Sequence, residues 1–264
     1  MGGWRAVMAN EYRSTIEQPS DRIIVALDKM TWHVASEVMG EVGPHVGMAK
    51  ANSIAQRHGW EPAVRTIESL GAATMADTKF HDIPETVGLQ VEEVASTGAR
   101  LITVHASGGQ EMLKYAVSGR DRAFNDQPED RWDDLLGGIL GITVLTSIDG
   151  ETCTSIYGDE PEKKVVQFAH IALEAGIDGI VCSGKELRAI RAIGALDDLI
   201  AVVPGITPEW AKKPGDQKRV VTPTEAFQAG ADFLVVGRAI TQPPEGISRQ
   251  EAAERIATEL TEAA

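Results

Sequence analysis

Eight short apolar runs recur along the chain, and most are followed by a stretch with helical periodicity. The runs occupy residues 22–28, 45–49, 73–79, 100–105, 138–145, 178–182, 199–203 and 232–236. Most are continuously apolar instead of alternating, which is typical of parallel strands that are covered on both faces. Amphipathic helical stretches lie between them, for example at residues 61–70, 85–97, 162–175 and 185–193.

Eight strand–helix repeats in 264 residues predict an α/β fold, a single (β/α)8 TIM barrel. A doubly wound open sheet is the rival, and it would normally carry a G-x-G-x-x-G turn after its first strand. No such turn follows residues 22–28. We expect the barrel to occupy residues 21–264, with residues 1–20 as a polar N-terminal extension. Two segments interrupt the alternation. Residues 119–134 are expected to be a surface insertion or an irregular helix, and the length of residues 204–221 suggests a functional or mobile loop.

The net charge of −14, without any cluster of Lys and Arg, argues against a nucleic-acid partner. No apolar run is long enough to span a bilayer, and residues 1–20 lack the order of a secretory signal. The two cysteines, Cys153 and Cys182, fit a reducing compartment and have no metal-ligand spacing. We therefore expect a cytoplasmic protein with neither a membrane partner nor a bound metal.

Polar side chains stand at the predicted C-terminal ends of the strands, where TIM barrels carry their functional residues. These positions are Asp28, Lys50, Asp77, Lys79, His105, Thr146, 204–206 and 237–238. Asp77 and Lys79 are two residues apart on a strand, so their side chains project to the same side. A salt-bridged strand end is the simpler interpretation of that pair. The apolar run before it and the neighbouring Lys50 favour a functional site.

The pattern Asp77-x-Lys79-x-x-Asp82-Ile83-Pro84-x-Thr86 resembles the signature of the orotidine 5′-phosphate decarboxylase family. Further similarities occur in the same order at residues 27–28, 105–109, 144–147, 203–206, 215–219 and 235–240. The resemblance extends over about residues 22–240 and depends on no single motif.

This resemblance implies decarboxylation of orotidine 5′-monophosphate to uridine 5′-monophosphate, the last step of UMP biosynthesis, without a cofactor or metal. It implies that Lys79 donates a proton to C6, that Asp77 lies beside the substrate carboxylate, and that Lys50 holds the charged array in register. Asp82, Ile83 and Thr86 would reach into the active site of a second subunit, which makes a homodimer the working unit.

The resemblance also implies a set of substrate-binding residues. Asp28 would bind the ribose and Thr146 the pyrimidine, Pro204 would line the site at the end of strand seven, and Gln217, Gly237 and Arg238 would hold the phosphate. A physical argument supports the phosphate end, because TIM barrels often bind phosphate with the loops after strands seven and eight. Glycine allows close backbone approach there, and arginine can bind the anion through two hydrogen bonds.

Two alternatives remain at this point. A Mg²⁺-dependent sugar-phosphate lyase of the same superfamily would share the Asp-x-Lys-x-x-Asp core but would lack a pyrimidine contact. The Ile83-Pro84-x-Thr86 segment and residues 145–147 and 215–217 favour the decarboxylase. A non-catalytic phosphate-binding barrel would keep the phosphate loop and lose the charged catalytic residues. All four of those residues are present, namely Lys50, Asp77, Lys79 and Asp82.

Overall fold

A closed barrel of eight parallel strands organises the protein, whose computed structural model describes residues 12–125, 137–212 and 221–264. The strands pair in chain order, and the first also pairs with the last, which closes the ring. They are β1 (Ile23–Ala26), β2 (Met48–Ala51), β3 (Ala73–Phe80), β4 (Leu101–His105), β5 (Gly138–Ile142), β6 (Gly179–Val181), β7 (Ile200–Ile206) and β8 (Phe233–Val236). The predicted (β/α)8 fold is confirmed, since every predicted run overlaps one of these strands.

Helices follow the strands and surround the barrel. They are α1 (Trp32–Val42), α2 (Ser53–His58), α3 (Trp60–Ser69), α4 (Pro84–Ala95), α5 (Gly109–Asn125), α6 (Gly150–Tyr157), α7 (Pro161–Ala175), α8 (Leu187–Arg191), α9 (Pro223–Gln228), α10 (Arg238–Thr241) and α11 (Arg249–Ala263). Four begin at Thr or Asp or Ser caps whose side chains accept a backbone N–H, at Thr31, Asp149, Thr222 and Ser248. Among the described residues, no helix combines the length and apolar character needed to cross a membrane.

The core has two layers, because successive residues of a strand point to opposite faces. On β1, Ile23 and Val25 pack outward against the helices, whereas Ile24 and Ala26 point into the barrel. Both layers are apolar and buried. This explains why the strands read as continuous apolar runs in the sequence.

The N-terminal end of the barrel is closed by residues that precede β1. Tyr12 is fully buried among the inward-pointing side chains, and its hydroxyl donates to the carbonyl oxygen of Arg100 at 3.1 Å. A Cβ on Gly138 would lie 2.7 Å from the Tyr12 ring, so only glycine leaves room for it. The next residue, Arg13, pairs with Asp232 at 2.9 Å. Residues 12 and 13 thus form part of the barrel floor, and residues 1–11 lie outside the described part.

The expected surface insertion at residues 119–134 differs from the structure over its first part. Residues up to Asn125 continue the regular helix α5, and the remainder of the segment lies outside the described residues. Gly119 packs against α4, where an added Cβ would lie 2.1 Å from the carbonyl oxygen of Gly88. Arg120 is buried and pairs with Asp178 at 2.6 Å. The start of this polar segment is therefore packed against the rest of the protein. Gly119 allows close contact with α4, and the ion pair with Asp178 compensates for the burial of Arg120.

Candidate active site

A cavity of about 300 Å³ opens at the C-terminal end of the barrel. Its wall includes these residues predicted from the strand ends: Asp28, Lys50, Asp77, Lys79, Thr146, Pro204, Gly237 and Arg238. Apolar side chains such as Met75, Ile142 and Val181 line its inner part. An enclosed apolar interior with a few convergent polar groups is typical of a small-molecule site.

Four of these side chains form a row of alternating charge along β1, β2 and β3. The Lys50 Nζ lies 2.9 Å from each carboxylate oxygen of Asp28 and 2.9 Å from Asp77 Oδ2. The Lys79 ammonium also pairs with Asp77 Oδ2. The side chains of Lys50 and Asp77 are only 12% and 8% exposed, whereas that of Lys79 is 39% exposed. Lys79 is therefore the cation of the row most accessible from the cavity.

Burial and ion pairing act in opposite directions on the two buried members of the row. Burial alone would raise the pKa of Asp77, but the charges of Lys50 and Lys79 outweigh it and leave that pKa below its ordinary value. Burial alone would lower the pKa of Lys50, but Asp77 and Asp28 leave it above its ordinary value. Both groups are consequently charged at neutral pH.

Strand β3 bulges where it carries these residues. Ala76 pairs with Ile102 and Phe80 with Val104, so residues 77–79 together face the single residue between those partners on β4. Lys79 has a φ of +54°, in the left-handed region that non-glycine residues rarely occupy. Such backbone strain occurs often at functional sites, where surrounding contacts hold it in place.

The opposite side of the cavity mouth is formed by the ends of β7 and β8. Gly205, with a φ of +78°, lies there together with Gly237 and Arg238. A Cβ on Gly237 would meet no atom within 4 Å, so this backbone faces open space that a bound group could enter. Gln217, also predicted for this region, lies outside the described residues.

Asp82, Ile83 and Thr86 do not line the cavity. The Asp82 carboxylate accepts the backbone N–H of Ile83 at 2.7 Å, on the loop between β3 and α4. The Ile83 side chain is 65% exposed. The structure therefore brings eight of the twelve predicted residues together in one chain and leaves these three at the outer rim.

Sequence reasoning missed several residues around the cavity. Cys182 lines this cavity. Burial raises the pKa of its thiol to about 12, so the side chain is present as the neutral thiol. Thr103 on β4 contacts both Asp77 and Lys79. Its position two residues before the end of β4 was the available signal, because alternate residues share a face.

His105, at the end of β4, lies beside the charged row with its ring centroid 5.3 Å from that of His81. Burial, followed by electrostatic interactions with the neighbouring His81 and Lys79, lowers the pKa of His105. Within the described ranges, no group of three or more His, Cys, Asp or Glu side chains is arranged to hold a metal ion.

Comparisons with known proteins agree on one family. The model of the family described as "Orotidine 5'-phosphate decarboxylase / HUMPS family" matches residues 21–256. The chain is 42% identical over 247 residues to the orotidine 5′-phosphate decarboxylase of Heliobacterium modesticaldum, covering 93% of this chain and 98% of the relative. It is 41% identical over 229 residues to that of an Anaeromyxobacter species, covering 86% and 94% respectively. The crystal structure of orotidine 5′-phosphate decarboxylase from Lactobacillus acidophilus superposes with a TM-score of 0.74 at 28% identity, over 90% of this chain and 98% of the other.

Proposed function

The chain belongs to the orotidine 5′-phosphate decarboxylase / HUMPS family, and from this membership we propose that it converts orotidine 5′-monophosphate into uridine 5′-monophosphate and carbon dioxide. The observation that carries the proposal is the row Asp28–Lys50–Asp77–Lys79 at the mouth of the cavity. A barrel that only bound phosphate would have no need for two buried, mutually paired charges beside its cavity.

The reaction requires a cation close to the carbon that loses carbon dioxide. When the bond between C6 and the carboxylate breaks, its electron pair stays on C6. The Lys79 ammonium stabilises that negative charge and then donates a proton to C6. The resulting neutral amine regains a proton from solvent, which its 39% exposed side chain can reach. Asp77 and Lys50 hold the ammonium in position through the buried ion pairs.

The remaining predicted residues bind the parts of the substrate that do not react. We propose that Asp28 binds the ribose, Thr146 the pyrimidine, and Pro204 the wall beside it. Arg238, the backbone near Gly237 and Gln217 hold the phosphate. Binding energy from a phosphate far from the reacting carbon can be used to position the substrate for the chemical step.

The test is turnover of orotidine 5′-monophosphate, followed by ultraviolet absorbance in the presence of a metal chelator. We expect chelator-resistant turnover by the natural protein and a loss of about a hundredfold to ten-thousandfold in Lys79→Ala, the range for a general acid. Lys29→Ala is the matched control, because Lys29 is an exposed lysine that also has a left-handed φ, of +60°. The opposite result would be a natural protein that leaves this substrate unchanged and turns over a sugar phosphate in the presence of Mg²⁺. That result would contradict the decarboxylase and support the sugar-phosphate lyase.

We propose further that the working unit is a homodimer in which Asp82, Ile83 and Thr86 complete the partner's site. Support comes from the exposed apolar side chain of Ile83, and from Leu89 and Tyr115, which are 59% and 42% exposed on α4 and α5. Helices α4 and α5 pack against one another, since the Tyr115 ring would lie 3.5 Å from a Cβ on Gly88.

Subunit mixing tests the shared site. Lys79→Ala and Asp82→Ala proteins are each expected to be nearly inactive. In a mixed dimer, one site combines the intact Lys79 of one subunit with the intact Asp82 of the other. After equal mixing and exchange, about a quarter of the natural activity should return, because half the dimers then carry one intact site. No recovery despite demonstrated exchange would mean that Asp82 acts within its own subunit.

We propose a cytoplasmic location, supported by the two buried cysteines, Cys153 and Cys182, neither of which forms a disulfide. Cell fractionation tests it, and recovery of the protein outside the cytoplasmic fraction would contradict it.

A further inference from the structure

Thr103 occupies a special place opposite the β3 bulge. Three residues of β3, from Asp77 to Lys79, face this one residue of β4. A bulge interrupts the regular ladder of backbone hydrogen bonds, so other groups must satisfy the polar atoms there. The Thr78 hydroxyl donates to the carbonyl oxygen of Thr103 at 2.5 Å. On the other edge, the Asn52 side-chain amide donates to the carbonyl oxygen of Asp77.

The hydroxyl of Thr103 links the Asp77 side chain to the Lys79 backbone. It accepts the backbone N–H of Lys79 at 3.0 Å and donates to Asp77 Oδ1 at 3.2 Å. A threonine hydroxyl has one proton to donate, and here that proton goes to the carboxylate. Thr103 is fully buried, so water cannot replace either bond without disturbing the core.

Each oxygen of Asp77 therefore has its own partners. Oδ1 accepts from Thr103, and Oδ2 accepts from Lys50 and Lys79. This division fixes the plane of the carboxylate. The bond to the Lys79 amide also holds the residue at its left-handed φ, where a lysine would otherwise relax.

We propose that Thr103 is a positioning residue for the decarboxylation, whose hydroxyl holds the Lys79 backbone and the Asp77 carboxylate in fixed relation to one another. The proposal rests on the proposed function and adds to it a residue that does not touch the substrate. Its action is on the chemical step, because misplacing a reacting group by about 1 Å can cost about a hundredfold in rate. Substrate binding at the ribose and phosphate involves other strands and is left intact.

The kinetic test replaces the hydroxyl with a methyl group of similar size. We expect Thr103→Val to lower kcat by about tenfold to a hundredfold while KM changes by less than about twofold. Thr103→Ser keeps the hydroxyl and should restore most of kcat. Thr74→Val on β3 is the matched control, because the Thr74 hydroxyl is also buried and has no hydrogen-bond partner among the described residues.

A pH measurement separates positioning from a merely structural role. A donated hydrogen bond favours the charged carboxylate, so Thr103→Val should raise the pKa of Asp77 and move the acid limb of kcat to higher pH. The Ser and Thr74 variants should leave that limb unchanged. The other charged or titratable groups near Asp77 are untouched in all three variants; they are Lys50, Asp28, Lys79, His81 and His105.

The Asp77 carboxyl is also followed directly by ¹³C NMR titration, which needs no substrate. A Thr103→Val protein with natural kcat, or with an unchanged Asp77 titration, would overturn the proposal. If the natural protein does not decarboxylate orotidine 5′-monophosphate, the proposed function fails, and the role of Thr103 in fixing Asp77 is still decided by the NMR titration.

Discussion

Lys50 and Asp77 form an ion pair 2.9 Å long whose side chains are both almost completely removed from solvent. Because water is largely excluded from both groups, the ion pair replaces hydration in stabilising each charge. Removing one partner of a buried pair is much more costly than removing both, because the remaining charge is left uncompensated. The row of charges is thus a unit whose members cannot be changed independently.

The first prediction concerns stability. Lys50→Met should lower the free energy of unfolding by about 3 kcal/mol, because Asp77 then loses a buried partner. Adding Asp77→Asn should recover part of that loss, although the double variant remains inactive. Urea unfolding of the two single variants and the double variant measures the coupling. Strictly additive effects would contradict the interdependence of the pair.

The second prediction concerns pH. The lowered pKa of Asp77 stabilises the fold fully above the ordinary value of 3.8, and this contribution is lost as pH falls through the lower folded value. The raised pKa of Lys50 stabilises the fold fully below 10.5, and this contribution is lost as pH rises through the higher folded value.

The directions of these two pKa shifts predict that titration of Asp77 or Lys50 does not change kcat between about pH 4 and pH 10. The unfolding free energies of the natural protein and of Asp77→Asn should differ by a constant amount from about pH 4 to neutrality and converge only below pH 3.8. A difference in unfolding free energy between the two proteins that varies between about pH 4 and neutrality would contradict the assignment.

The third prediction concerns the phosphate. Arg238→Ala should lower kcat/KM for orotidine 5′-monophosphate by about tenfold to a hundredfold, the value of a hydrogen bond between charged groups. With orotidine, which lacks the phosphate, the natural protein and the variant should be equally slow. Arg57→Ala serves as the control, since Arg57 is exposed on α2 and outside the cavity. An equal loss on both substrates would place Arg238 elsewhere in the mechanism.

The fourth prediction concerns the proposed dimer. Ile83→Asp should weaken subunit association, because it places a charge in the proposed apolar interface. Specific activity should then fall on dilution, and sedimentation should show the monomer at concentrations where the natural protein is dimeric. Ile156→Asp is a matched control, since Ile156 is 58% exposed on α6. Association that survives Ile83→Asp and fails in Ile156→Asp would locate the interface on α6.

The fifth prediction concerns the barrel floor. Tyr12→Ala should lower the free energy of unfolding by about 3 kcal/mol, because it leaves a cavity among fully buried side chains. Tyr12→Phe removes only the hydrogen bond to the Arg100 carbonyl and should cost about 1 kcal/mol. Thermal or urea unfolding distinguishes the two. Equal effects would mean that the ring contributes nothing beyond its hydroxyl.

The strands and the strand-end residues were predictable because each depends on local information. A continuous apolar run identifies a doubly covered strand, and the barrel rule then locates functional groups at the strand ends. Boundaries were less accurate where a turn intervenes. The second strand was expected at residues 45–49 and is Met48–Ala51, because Gly43–His45 forms a 3₁₀ turn.

The features that were not predictable depend on pairing between distant segments. The bulge that isolates Thr103 is a property of the register between β3 and β4, which no single strand encodes. The burial of Arg120 depends on Asp178, and the burial of Tyr12 on β4 and β5. The sequence around a polar or aromatic residue does not indicate a partner that lies far along the chain.

The floor of the barrel has a consequence for the order of assembly during synthesis. Arg13 is made early, yet its carboxylate partner Asp232 follows 219 positions later. Contacts so distant in sequence form slowly, because the chain loses the entropy of closing a long loop before the contact stabilises the fold. On the ribosome, the base of the barrel therefore stays open until β8 has emerged, and the first described residues are among the last to reach their final place.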